Sequence, residues 1–279
     1  MTFKTILVPV EGHDRLDSVF SMAELFARPF GAYLEGTPVR SLVADIYIAG
    51  AFGGVPVPQL PAEGTSSAEL RKLADAEVQR LGIGRGSREQ SGLRYAWHEQ
   101  EPLDDITLAA QARVFDITVF GRIDKDGNGP RLGPLETTLF ESGRPILIAP
   151  PSTPKTCGET VLVAWNCSTE TARTVALAMP ILERAKEVIV LTVEGGTVPG
   201  PAGSEMTAAL AANGVPAKER TVRSGGKSTG EVILAEATLH GADLLIKGAY
   251  TQSRLRQMIF GGATSHILSA AELPVFMAH

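Results

Sequence analysis

Asp243-Leu244-Leu245-Ile246-Lys247-Gly248-Ala249-Tyr250-Thr251-Gln252-Ser253-Arg254-Leu255-Arg256-Gln257-Met258-Ile259-Phe260-Gly261-Gly262-Ala263-Thr264 is the stretch whose reading decides the fold. Its opening is a short apolar run of the kind buried on both faces in a parallel sheet. Two glycines and a helical pattern close it. A strand, a glycine loop and a helix start form the layout that cradles phosphate, because free N–H groups converge and the helix dipole favours an anion. The same layout is also an ordinary strand-to-helix connection in an α/β protein, and the glycines by themselves do not separate the two.

The opening strand occurs twice. Asp116-Ile117-Thr118-Val119-Phe120-Gly121 matches residues 243–248 position by position. Further out, Leu273-Pro274-Val275-Phe276-Met277 matches Arg144-Pro145-Ile146-Leu147-Ile148, and Val161-Leu162-Val163-Ala164-Trp165-Asn166-Cys167 matches Ile6-Leu7-Val8-Pro9-Val10-Glu11-Gly12. The proline-rich segment 150–154 separates the copies. In the first copy the pattern predicts strands at 6–10, 32–38, 93–97, 116–121 and 145–149. Helices are predicted near 14–26, 66–81 and 102–113, with Gly31 stopping the first and Pro102 in the first turn of the last. In the second copy it predicts strands at 161–167, 188–193, 217–222, 243–248 and 273–277, and helices at 169–184, 204–213 and 229–240. Strands alternating with helices predict parallel sheets covered on both faces. The expected domains are 1–150 and 155–279. An insertion near 39–65, with Gly53-Gly54 and Pro56, Pro58 and Pro61, cannot hold a regular helix.

Composition narrows the function. The chain has 279 residues, 44% of them hydrophobic, enough for two ordinary cores. A formal charge of −5 implies no general attraction to nucleic acid. Two cysteines, Cys157 and Cys167, form no C-x-x-C, which fits a reduced cytoplasmic setting. The start runs straight into a strand, so no signal peptide is expected, and no apolar run is long enough to predict a membrane span.

With these residues in view, the chain resembles the universal stress protein (UspA-like) family as a tandem, two-domain member. The family's nucleotide loop reads G-x2-G-x9-G-(S/T). Here Gly248 and Gly261 match it, Thr251 replaces the second glycine, and Gly262 replaces the hydroxyl residue, with Thr264 two positions on. The resemblance implies two flavodoxin-like/Rossmann-like domains, each a five-stranded parallel sheet flanked by helices, packed as a pseudo-dimer through their last strands. It implies one nucleotide site, in the second half: Ala164 and Asn166 after the first strand, Val193 in the second, and Gly248, Tyr250, Thr251, Gly261, Gly262, Ala263 and Thr264 around the loop. Asn166 stands where the family has an acid. Thr251 disfavours positive φ, and Gly262 lacks a phosphate-binding hydroxyl, so ATP is expected to bind weakly. The first half keeps the acid as Glu11 but not the loop, so no ATP is expected there.

The implied function is a cytosolic stress-response binding module without catalytic residues or a metal of its own, pairing as a homodimer of tandem chains. Slow ATP hydrolysis or phosphoryl transfer is one alternative, and a scaffold that binds no nucleotide is another. Three further motifs read as structural. Residues 124–129 open like a calcium loop, but the closing glutamate is one residue late. Residues 225–228 resemble the tail of a P-loop without its first glycine, where only weak anion binding is expected. The five histidines show no metal-ligand spacing. Cys167, at the mouth of the expected site, is a candidate redox sensor.

Overall fold

The computed structural model describes residues 2–40, 65–99, 101–123, 129–249 and 262–279. In the first half these form β1 (Thr5–Val10), α1 (Leu16–Ala27), β2 (Tyr33–Pro38), α2 (Ser67–Arg80), β3 (Gly84–Arg85), β4 (Arg94–Trp97), α3 (Asp105–Ala112), β5 (Ile117–Gly121), α4 (Leu132–Glu141) and β6 (Ile146–Ala149). In the second they form β7 (Thr160–Ala164), α5 (Thr169–Leu182), β8 (Glu187–Glu194), α6 (Gly203–Ala212), β9 (Ala217–Arg223), α7 (Thr229–Leu239), β10 (Leu244–Gly248), α8 (Ala263–Ala270) and β11 (Val275–Ala278).

All described strands join one sheet in the order β3-β4-β2-β1-β5-β6-β11-β10-β7-β8-β9. Within each half every pair is parallel, and the five main strands run third, second, first, fourth, fifth. Of the two expected variants this is the Rossmann-like order. The halves meet where β6 and β11 pair antiparallel, with Leu147 opposite Phe276. These two residues match in the repeat, so the junction pairs each copy with itself, as a two-fold interface does. The pseudo-dimer is thus built into one sheet.

Both copies anchor their first strand in the same way. Asp116 Oδ2 accepts from Lys4 N at 2.7 Å and Thr5 N at 2.9 Å, and Asp243 Oδ1 accepts from Gly158 N and Thr160 N at 3.0 Å. A carboxylate before the fourth strand satisfies backbone donors that the sheet edge would leave unpaired. Apolar side chains cover both faces of the sheet, and each face's cluster draws on both halves. Phe3 meets Phe276 edge-on at 6.0 Å across the junction, and Arg122 pairs with Glu272 there.

Several boundaries differ from expectation for local reasons. The 102–113 helix begins at Asp105, because the Asp104 carboxylate accepts from Thr107 N at 2.8 Å and caps it. The 161–167 strand stops at Ala164, where a side-chain-bonded turn takes over. α4 and β3 were not expected. The insertion's residues 41–64 lie outside the described residues.

Candidate functional site

In a sheet of this order, connections leave the first and fourth strands toward opposite faces. The crevice beyond their carboxyl ends is where such sheets take ligands. In the second half that crevice lies beyond β7 and β10.

The turn after β7 is tightly bonded. Asn166 Oδ1 accepts from Thr171 Oγ1 at 2.6 Å and Ser168 N at 3.3 Å, and Ser168 Oγ caps α5 by accepting from Thr171 N at 3.2 Å. Cys167, between them, has φ 67°, a left-handed conformation uncommon outside glycine. The β8–α6 connection roofs this turn: Val198 N donates to Asn166 O and Trp165 Nε1 to Pro201 O, both at 3.0 Å. Asn166 therefore organises the entry to α5. Burial raises the Cys167 thiol pKa, the reverse of what an activated sensor thiol needs.

Gly248 ends β10 against the first turn of α5. A Cβ there would lie 2.7 Å from Glu170 C and Thr171 Cα, and closer still to Thr171 N. The motif glycine is thus required by packing, whatever the ligand. Beside it Lys247, only 8% exposed, donates from Nζ to Gly248 O at 2.7 Å and to Thr264 Oγ1 at 2.8 Å. Burial pushes its pKa down to about 8. Gly262 is the N-cap of α8, with extended backbone and no side-chain cap, and a Cβ there would meet nothing within 4 Å among the described residues. Ala164 and Val193 belong to the apolar cluster on the same face, with Leu191, Val232 and Ile233. The Val193 carbonyl accepts from Gly196 N at 3.0 Å.

The fold thus connects Asn166, Thr171, Gly248, Lys247 and Thr264 in sequence, places Gly262 and Ala263 at the adjoining helix start, and sets Ala164 and Val193 in the apolar layer. Tyr250, Thr251 and Gly261 lie outside the described residues. Sequence reasoning missed Thr171 and Lys247. A charged residue inside an otherwise apolar strand, where the other copy has Phe120, was the available signal for Lys247.

The first-half position is built differently. Arg131, the N-cap residue of α4, donates from Nε to Glu11 Oε1 at 2.7 Å and from its backbone N to Glu11 Oε2 at 3.2 Å. Its Nη2 also reaches Asp105 Oδ1 at 3.3 Å and Arg40 O at 3.0 Å. Burial raises the Glu11 pKa, and the Arg131 guanidinium opposes that rise. The acid after the first strand therefore holds an internal cation. Among the described residues no group of three His, Cys, Asp or Glu side chains could hold a metal. Of the calcium-like segment, 124–128 lie outside the described residues. At 225–228, Ser228 and Glu231 form a reciprocal capping box that puts the chain's own carboxylate at the start of α7.

Residues 159–279 match the family model described as the universal stress protein family. The second half of the chain is a universal stress protein domain. The likeness in fold to solved universal stress proteins extends through both halves. A universal stress protein from Archaeoglobus fulgidus DSM 4304 is 16% identical with a TM-score of 0.68, the match covering 99% of this chain and 97% of that one. A putative universal stress protein from Pseudomonas aeruginosa UCBPP-PA14 is 16% identical with a TM-score of 0.56, covering 99% and 93%. At this identity the likeness concerns fold alone. No curated protein matches the chain. No helix among the described residues is long and apolar enough to cross a membrane.

Proposed function

We propose that this universal stress protein is a cytoplasmic stress-response binding module that holds ATP weakly, in its second half only. The triphosphate lies against the start of α8, at Gly262, Ala263 and Thr264, in the crevice beyond β7 and β10. The observation that carries the reading is the difference between the halves. In the first, Arg131 occupies the acid that follows the first strand. In the second, the equivalent Asn166 bonds within its own turn to Thr171, and α8 begins at a glycine with no side-chain cap among the described residues, whereas the backbone N–H of the α4 N-cap residue, Arg131, meets Glu11.

The first half serves as the structural partner through the β6–β11 junction. Pairing of whole chains, which belongs to this reading, uses another surface because the last strands are already paired. The test is titration calorimetry of nucleotide-stripped protein with ATP and magnesium, alongside a Gly262→Trp variant. Saturable micromolar binding that disappears in the variant supports the reading. No heat and no thermal shift up to millimolar ATP retires it in favour of a scaffold.

A further inference from the structure

Lys247 has no counterpart in the first half. By register it pairs with Met277 as Phe120 pairs with Ile148. Thr264 precedes Met277 by as many residues as Leu135 precedes Ile148. Phe120 and Leu135 are both buried in the first-half core. The fold therefore accepts an apolar pair at this place, and one copy has it. The other copy buries an ammonium group whose acceptors among the described residues, the Gly248 carbonyl and the Thr264 hydroxyl, carry no charge. Burying a cation without a carboxylate is unfavourable, so this pair weakens the fold where the first half's pair does not.

The chemistry of the pair is directional. A lysine ammonium has three donors and no acceptor. Its bond to Thr264 fixes the hydroxyl oxygen as acceptor and leaves the hydroxyl hydrogen to be donated onward. Thr264 stands in the first turn of α8, where backbone N–H groups lack intrahelical partners. A cation, an oriented hydroxyl and a helix start thus adjoin.

We infer that Lys247 is a positioning residue of the second-half site: it holds Thr264 as a donor to a phosphate oxygen and supplies the charge that selects a phosphorylated nucleotide over its nucleoside. This rests on the nucleotide reading above. A phosphate oxygen accepting from Thr264 adds the negative charge the buried ammonium lacks, while a nucleoside without phosphate offers nothing to the pair.

The experiment measures the affinities of ATP–magnesium and adenosine, and the unliganded melting temperature, for the wild type, Lys247→Met, and Lys247→Met combined with Thr264→Val. The double variant replaces both partners by apolar groups of similar size, as the first half does, so it keeps the question open should the single variant fail to fold. In Lys247→Met, ATP affinity is expected to fall about tenfold, equivalent to about 1.4 kcal/mol, with adenosine unchanged and the unliganded melting temperature not lowered. In the double variant the preference for ATP over adenosine is expected to vanish in a folded protein. Unchanged ATP affinity in Lys247→Met, or a retained preference in the double variant, overturns the role of Lys247 and leaves the nucleotide reading standing. Equal losses for ATP and adenosine with a lower unliganded melting temperature show a structural tie instead, and also overturn it. A wild type that binds no ATP retires the nucleotide reading itself, and this inference with it.

Discussion

Adding one methyl group at Gly248 should damage the fold more than the same change at Gly262, the N-cap of α8. A Cβ at 248 would lie 2.7 Å from Glu170 C and Thr171 Cα, and closer to Thr171 N. These are backbone atoms of the first turn of α5, so no side chain can swing away. Relief requires β10 and α5 to part by nearly an ångström. Overpacking of this kind costs about 1–3 kcal/mol. Parting also disturbs the Ser168 cap on Thr171 N, worth about 1 kcal/mol. Gly248→Ala is therefore expected to lose about 3 kcal/mol, or on the order of 10 °C in melting temperature for a chain of this size. Gly262→Ala is the control: its Cβ meets nothing within 4 Å among the described residues, and its φ of −80° suits any residue. It should lose under about 1 kcal/mol, the difference between glycine and alanine at an N-cap. Gly121→Ala, whose Cβ would meet Pro130 Cγ at 2.8 Å and Val19 Cγ2 at 3.0 Å, should fall between them because side chains can yield. Thermal melts without nucleotide read all three. A Gly248→Ala melt that overlays the wild type, or a Gly262→Ala loss as large as that of Gly248→Ala, would refute the packing argument.

Three further outcomes follow from charge and packing. Arg131→Met leaves Glu11 buried beside Asp105 without its cation and should cost about 2 kcal/mol at pH 7. Burial raises the Glu11 pKa and Arg131 opposes that rise, so without Arg131 the carboxyl takes up its proton at higher pH than in the wild type and the deficit should shrink in acid; a deficit that grows on acidification would contradict the pairing. Burial pushes the His13 pKa down to about 4 from an ordinary 6.5, and His13 Nδ1 accepts from Arg15 N at 3.0 Å. Between those values the unfolded chain binds a proton that the folded one does not, so stability rises with pH through that window. Denaturant melts of His13→Asn should lack about 1–2 kcal/mol of the acid-side decline seen in the wild type, after discounting for partial exposure; an unchanged slope would place His13 in ordinary solvent. Phe276→Ala, at the junction and fully buried, should cost about 3–5 kcal/mol and lower one shared calorimetric transition; two separated transitions would show that the halves fold independently.

Most of the fold was legible because its signals are local. Apolar runs of four to six residues marked most of the ten main strands, although β9 carries Lys218, Glu219 and Arg220, and the repeated aspartate, Asp116 and Asp243, marked equivalent strand bases. Pairing of the last strands was expected from the family resemblance, and the structure adds the register that sets Leu147 opposite Phe276. α4 was hidden because it opens with Leu132-Gly133-Pro134, which reads as loop although proline needs no N–H partner in a first turn. β3 is two exposed residues held by pairing with β4, and nothing in its own sequence shows that. The site was less legible because its decisive contacts are distant in sequence. Glu11 looked like a retained ligand-binding acid, and its partner Arg131 comes from the far end of the half. Gly248 looked like a phosphate-loop glycine, and its tightest neighbour is the backbone of α5. Lys247 looked like a strand-end charge, and only the bond to Thr264 shows it buried.

One half is proposed to hold nucleotide, while the other has filled its equivalent place with its own side chains. Equilibrium dialysis of the nucleotide-stripped chain against labelled ATP and magnesium tests it most directly, because it counts sites. One ATP per chain is expected at saturation, unchanged in Glu11→Gln and lost in Gly262→Trp. Two ATP per chain, or one that disappears with Glu11→Gln and survives Gly262→Trp, would contradict it.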